Sequence, residues 1–143
     1  MKLQKIVNRL LRLHPKEIDL SLDRILSLCK KLGNPQDRIK AISVVGTNGK
    51  QSTINAIFAI LNEAKIKCNV YTSPHIQRIN ERFIFNNKEL SDVELAELFE
   101  KVEKINNNEP ITFFEILTAC YFYEAAKYPK NINIIEAGLF HRF

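Results

Sequence analysis

Residues 39–52, IKAISVVGTNGKQS, carry the reading of this chain. Ile39 to Val45 is a short, nearly continuous apolar run rich in β-branched residues, the pattern of a strand covered on both faces. GTNGKQS follows at once, then an apolar-striped helix from about Thr53 to Ala64, then a second strand, CNVYTS, at 68–73. Strand, glycine loop, helix and strand in that order make a right-handed crossover with parallel strands. The loop suits a polyphosphate. Its glycines let successive backbone amides turn inward, the helix N-terminus adds the positive end of its dipole, and Lys50 adds a mobile charge. It departs from the P-loop expression GxxxxGK[ST]: Val44 stands where the first glycine belongs and Gln51 where the hydroxyl residue belongs. The assignment therefore rests on strand before and helix after. A plain glycine turn with an exposed lysine is the competing description.

Towards the C-terminus, RFIFNNKEL at 82–90 holds an Asn86-Asn87 pair between apolar residues, the mark of a small hairpin or a strand and turn. Ser91 with Glu94, and Thr112 with Glu115, are capping-box pairs. They predict one helix to about Ile105, broken by Asn106–Asn108 and Pro110, and a second over FFEILTACYFYEAAK (113–127). The second is apolar on almost every face and must be buried. NINIIEAG (131–138) is a third strand of the buried kind. Towards the N-terminus, apolar residues recur at helical spacing over 2–13, ended by Pro15, and over 20–32, ended by Gly33 and Pro35.

At 143 residues and 45% hydrophobic content the chain has material for one core. A net charge of +5 favours an anionic ligand, but the cations are interleaved with acids, and Lys2, Lys5, Arg9 and Arg12 read as the solvated face of a helix, so no nucleic-acid partner is expected. Cys29, Cys68 and Cys120 are far apart, lack zinc-site spacing and read as reduced core residues. Charges thread the N-terminal segment and no apolar run reaches membrane-spanning length, which leads us to expect a cytoplasmic protein without a membrane partner.

Five stretches together carry a family resemblance. GTNGK resembles the ATP-binding loop of the Mur ligases. HPKEIDLSLDRI, YTSPHIQRINERF, TFFEILTACYF and IIEAGL resemble, in order and spacing, the folylpolyglutamate synthase and dihydrofolate synthase branch of that group. The resemblance implies an α/β fold: a P-loop-containing parallel sheet with flanking helices, forming the front part of a Mur ligase-type ATP-binding domain. It implies an ATP-dependent ligase that converts a folate or dihydropteroate carboxylate to an acyl phosphate, which the amino group of L-glutamate attacks. Lys50 is assigned to the β- and γ-phosphates, with Gly46, Thr47, Asn48, Gly49, Gln51 and Ser52 as the cradle. Ser73 and Glu136 are assigned as Mg²⁺ ligands with Ser52 beside them, and Glu136 joins Lys50 as catalytic. Leu22, Thr112 and Phe114 are assigned to the pterin side, and Arg82 to a polar substrate loop with His75, Arg78, Asn80 and Glu81.

Plainer roles compete with each assignment: Ser73 as a turn initiator before Pro74, Glu136 as a solvated strand end, Leu22 and Phe114 as core, Thr112 as an N-cap. The chain departs from the family pattern at Gln51, usually glycine, and at Phe140-His141, usually a glycine pair. Residues that the family places further on, including a later histidine metal ligand and a glutamate-binding domain, are not in this sequence. We expect the chain alone to be insufficient for the full reaction, the sheet to show apolar surface, and the full-length enzyme to be a monomer. Two other readings stay open. One is a nucleotide-binding module without catalysis. The other is a Mur-type ligase acting on a cell-wall precursor, against which TSPHIQRINER and TFFEILTA argue.

Overall fold

The computed structural model describes residues 2–14, 21–46, 48–72 and 77–136. Of the residues singled out above, Pro15, Thr47, Ser73, Pro74, His75, Phe140 and His141 lie outside them.

Helices α1 (Lys2–Leu11) and α2 (Asp23–Lys31) lead in, followed by a short 3-10 turn at Pro35–Arg38. Then come β1 (Lys40–Val44), α3 (Lys50–Glu63), β2 (Cys68–Tyr71), a 3-10 turn at Ile79–Arg82, and the short strands β3 (Phe83–Phe85) and β4 (Lys88–Glu89). Helices α4 (Asp92–Asn106) and α5 (Phe113–Ala125) and strand β5 (Ile132–Glu136) complete the described chain. Both predicted capping boxes are formed: Ser91 accepts from the Glu94 amide and Thr112 from the Glu115 amide, with each glutamate reaching back.

The sheet order is β1-β5-β2-β3-β4. The parallel pairs are β1 with β5 and β5 with β2, as the crossover logic requires. The sheet as a whole is mixed, because β3 and β4 form the hairpin expected at Asn86-Asn87 and add it antiparallel to β2, beside the expected parallel strands. The cause is local. Asn86 and Asn87 both take positive φ, at 55° and 69°, the geometry of a two-residue hairpin turn that asparagine tolerates. That turn lets Phe83 and Phe85 enter the core together.

Helices cover both faces. Against one, Ile54, with Ile57, Phe58 and Leu61 of α3, packs on Val44, Cys68, Val70 and Ile134. Against the other lies the larger core, built from α1, α2, α4 and α5 on Tyr71, Phe83 and Phe85. Aromatic rings pave it: Tyr71 stacks on Tyr121 at 4.9 Å between centroids, and Phe83 meets Phe99 edge-on at 5.6 Å. As predicted, α5 is buried along most of its length.

Strand β1 differs from its expectation. Only Val44 is buried in it, and Ile42 is 40% exposed. Because β5 inserts between β1 and β2, β1 pairs on one side only among the described residues. At this edge Ile42 of β1 and the adjoining Val45 are exposed, while β5 is central; Leu26 of α2, Ile60 of α3 and Val93 of α4 are exposed apolar residues elsewhere. An apolar run reports that a strand is greasy; it does not report its place in the sheet order.

Where the strands begin, a buried amide network crosses the sheet. Asn69 Nδ2 donates to Asn133 Oδ1 at 3.0 Å, Tyr121 donates to the same oxygen at 2.6 Å, Asn131 donates to Asn69 and Asn86, and Asn133 donates to the Lys40 carbonyl. Asn69 and Asn133 are fully buried. Their amides are satisfied, so the network fixes register without the penalty of orphaned polar groups. Periodicity alone gave no sign of it. All three cysteines are buried and unbridged. No helix among the described residues is long and apolar enough to cross a membrane.

Candidate functional site

The glycine loop leaves β1 and enters α3 through two left-handed residues, Gly46 at φ 143° and Gly49 at φ 75°. A Cβ at either would meet nothing closer than 3.9 Å, so backbone conformation, and not space, calls for glycine. Gly49 is the N-cap of α3, and no side chain caps that end. The first-turn amides of α3 thus remain available to an anion at the carboxyl edge of the sheet, with the helix dipole behind them.

Gln51 departs from the family pattern without cost to this geometry. It lies in the first turn of α3 at negative φ, and its side chain donates to Asn55 Oδ1 at 2.9 Å, along the helix. Ser52 is exposed in the same turn, and Thr53 closes it by donating to the Gly49 carbonyl.

Lys50, the first residue of α3, reaches Glu136 at the end of β5, with Nζ 3.4 Å from Oε1. Their side chains are 20% and 11% exposed. The register explains the meeting: Glu136 stands beside Val44, the last residue of β1, so the loop that leaves β1 must pass over it. One lane further, Tyr71 pairs with Ile135, which sets Thr72 beside Glu136, and the Thr72 amide donates to the Arg82 carbonyl at 3.2 Å. Arg82 is 9% exposed. Burial lowers its pKa below the usual guanidinium value, opposed by Tyr71 and by the charge of Glu136. The sequence left Arg82 in a polar loop; the fold turns it inward. Of its loop neighbours, Asn80 is buried and donates to the Leu90 carbonyl and Asp92 Oδ1, and Arg78 pairs with Glu89 and Asp92. These two tie the loop to β4 and α4.

The substrate candidates group at the same edge. Along α5, Tyr121 bonds to Asn133 near the start of β5, whereas Thr118, one turn earlier, bonds to Tyr71 at the end of β2. The helix therefore runs against the strands, and its N-terminal turn, with Thr112 and Phe114, extends about 9 Å past Thr118 at 1.5 Å per residue. Glu115, 1% exposed, anchors that turn: its Oε1 accepts from Thr112 N at 3.0 Å, Thr112 Oγ1 at 2.8 Å and Arg24 Nε at 2.9 Å. Arg24 belongs to the first turn of α2, so the pair joins two helix N-termini and brings Leu22, the residue before α2, to this region. Leu22 itself packs on the main core, and the Thr112 hydroxyl is engaged in its cap. Arg24 was not visible as a site residue, because nothing in the spacing links residue 24 to residue 115.

For a divalent cation, the described residues offer no cluster of three or more acidic, cysteine or histidine side chains. Glu136 supplies one hard oxygen donor at the mouth of the loop. That fits a hydrated Mg²⁺-type ion, which is held by one or two carboxylates together with substrate phosphates.

Comparison with known proteins agrees in sequence and in shape. The chain is 40% identical over 129 residues to the dihydrofolate synthase/folylpolyglutamate synthase of Bacillus subtilis, a match covering 85% of this chain and 30% of that protein. With the enzyme of the same name from Escherichia coli K12 the identity is 33%, over 89% of this chain and 30% of that one. Among solved structures, E. coli FolC in complex with DHPP and ADP superposes with a TM-score of 0.87 at 31% identity, covering 96% of this chain and 33% of that one. The Yersinia pestis bifunctional enzyme with AMPPNP and a manganese ion gives 0.85 at 31% identity, with coverages of 96% and 33%. No protein-family model matches the chain. The chain spans about three tenths of the length of the curated relatives it matches.

Proposed function

The chain belongs to the folylpolyglutamate and dihydrofolate synthase family, and from that premise we propose that residues 1–143 form the N-terminal part of its ATP-binding domain. Its share of the reaction is to hold ATP with Mg²⁺ and to present the γ-phosphate to the carboxylate of a dihydropteroate or folate. The carboxylate oxygen takes the phosphoryl group as the bond to ADP breaks. The resulting acyl phosphate yields an amide when the amino group of L-glutamate attacks its carbonyl carbon and phosphate leaves.

One observation carries this reading: Lys50 and Glu136 meet 3.4 Å apart over the uncapped N-terminus of α3. Phosphoryl transfer asks a protein mainly for positioning and charge neutralisation. The amides from Gly46 to Ser52 supply donors, Lys50 neutralises developing charge on the β- and γ-oxygens, and Glu136 offers an oxygen at the phosphate edge. Glu136, with Ser52 and Ser73 as the resemblance assigns them, would hold a divalent cation there, which would supply charge neutralisation to the phosphates. Lys50 Nζ lies 3.4 Å from Glu136 Oε1, so a nucleotide bound here would give Lys50 phosphate oxygens as partners beside that carboxylate. Leu22, Thr112 and Phe114 belong to the pterin side, at the N-termini of α2 and α5. In a full-length protein we place this segment in a cytoplasmic monomer serving folate and one-carbon metabolism. The named relatives and structures are all folate enzymes, which favours this reading over a cell-wall ligase.

The test is binding of a fluorescent ADP analogue with Mg²⁺ to the 143-residue chain and to its Lys50→Ala variant. Losing a charge-assisted contact to phosphate weakens binding by about tenfold to a hundredfold. Absence of binding at millimolar nucleotide would refute the reading. A pteroate analogue, and not a nucleotide-sugar peptide, should alter the nucleotide signal.

A further inference from the structure

Asn48 precedes Gly49, and no other asparagine of the sequence is followed by glycine. Both residues are exposed in the loop between β1 and α3. Among the described residues no hydrogen bond holds the Asn48 side chain. The buried asparagines differ: Asn69, Asn80, Asn106, Asn131 and Asn133 each donate their side-chain amide to a fixed acceptor. Gly49 presents its amide nitrogen with no side chain beside it, and a Cβ there would meet nothing within 4 Å, so the space is open to water. As the N-cap of α3, Gly49 has no intrahelical partner for its N–H. Negative charge forming on that nitrogen, or on the Asn48 side-chain oxygen as the nitrogen attacks, is stabilised by the positive end of the α3 dipole and by Lys50, the next residue. The features that suit a phosphate therefore also favour attack of the backbone on the side chain.

We propose that Asn48 is a site of spontaneous deamidation, and, resting on the phosphate-loop reading above, that the change closes the loop to nucleotide. The Gly49 nitrogen loses its proton to solvent base and bonds to Asn48 Cγ. The Cγ–Nδ2 bond breaks, and ammonia leaves with a proton from water. Water then opens the succinimide at either carbonyl, leaving aspartate or isoaspartate; no electrons are exchanged. Both products put a carboxylate where the loop faces phosphate. Isoaspartate also lengthens the main chain by one methylene, which displaces the amides that follow. A nucleotide seated on the loop covers these atoms and slows the change.

The test incubates the chain in warm, mildly alkaline buffer with and without MgADP, digests it with trypsin and reads the masses. Cleavage after Lys40 and Lys50 isolates residues 41–50, in which Asn48 is the only asparagine. Residues 105–127 are the control: Asn107 and Asn108 are also exposed, at positive φ of 52° and 60°, but are followed by asparagine and glutamate. The 41–50 peptide should gain about 1 Da at residue 48 at least about tenfold faster than the control, and MgADP should slow the gain about tenfold. Gly49→Ala should slow it about tenfold, because a Cβ shields the attacking nitrogen. Asn48→Asp, one product made directly, should weaken ADP binding by about tenfold to a hundredfold. A 41–50 peptide that changes no faster than the control overturns the proposal, as does a rate in the folded chain more than about tenfold below that in urea. If the wild-type chain binds no ADP, the phosphate-loop reading fails, and the mass gain still decides the modification. If it binds ADP and Asn48→Asp binds it equally, the phosphate-loop reading stands and the closing of the loop is refuted.

Discussion

Replacing Glu115 with alanine removes the carboxylate that joins α2 to α5, and its cost follows from the contacts. The Thr112 amide, buried with its residue, loses its acceptor, a loss of about 1–2 kcal/mol. Arg24 loses the Glu115 carboxylate; breaking a buried ion pair costs about 3–5 kcal/mol, but the Arg24 side chain is 20% exposed and recovers part of its hydration, leaving about 2 kcal/mol. The sum, about 3–4 kcal/mol, is a large part of a stability of about 5–15 kcal/mol. In urea titrations followed by circular dichroism, with a slope of about 2 kcal/mol per molar, the midpoint should fall by about 1.5–2 M. The chain contains its own control. Glu94 closes the same capping box on α4 but is exposed, so Glu94→Ala should cost only about 1 kcal/mol. Arg24→Ala combined with Glu115→Ala should cost less than the two separately, because no buried charge is left alone. Equal losses for Glu115→Ala and Glu94→Ala would refute the reasoning, since burial of the ion pair is all that separates them.

Asn133→Ala strands the Tyr121 hydroxyl, the Asn69 amide and the Lys40 carbonyl, and should cost about 3 kcal/mol by urea denaturation, whereas a solvated network would lose under about 1. Gly49→Ala forces a Cβ residue to φ 75° and should cost about 1 kcal/mol and weaken ADP binding, while Gln51→Gly, at a helical position, should leave ADP affinity within about twofold; the reverse order would show that residue 51 needs glycine's freedom. Burial raises the Cys29 pKa from 9.0 to about 11, helped by Asp37, and raises those of Cys68, Tyr71, Cys120 and Tyr121. Each of these groups ionises less readily folded than unfolded, so its stabilisation is complete below about pH 9 and drains away as pH climbs towards 11. The melting temperature should be level from about pH 7 to 8.5 and fall above it; a level profile to pH 11 would show that these groups are solvated. Ellman's reagent should label the three thiols only after unfolding.

Local signals were readable from the sequence because they are short-range physics. The capping boxes at Ser91 and Thr112, the Asn86-Asn87 hairpin, the buried α5 and the strand–loop–helix around Lys50 each depend on residues within one or two turns of one another. The resemblance added the family, and similarity in sequence and in shape bears it out. What the sequence could not hold is pairing across long separations. It did not say that β5 inserts between β1 and β2, and that insertion leaves β1 half-exposed and stands Glu136 beside the phosphate loop. Nor did it say that Arg24 meets Glu115, that Arg82 is buried, or that asparagines far apart in the chain share one buried network. Period and propensity fix which residues are apolar and where elements start and stop; sheet order, and with it the neighbours of each charge, is decided only when distant segments compete for the same buried edge.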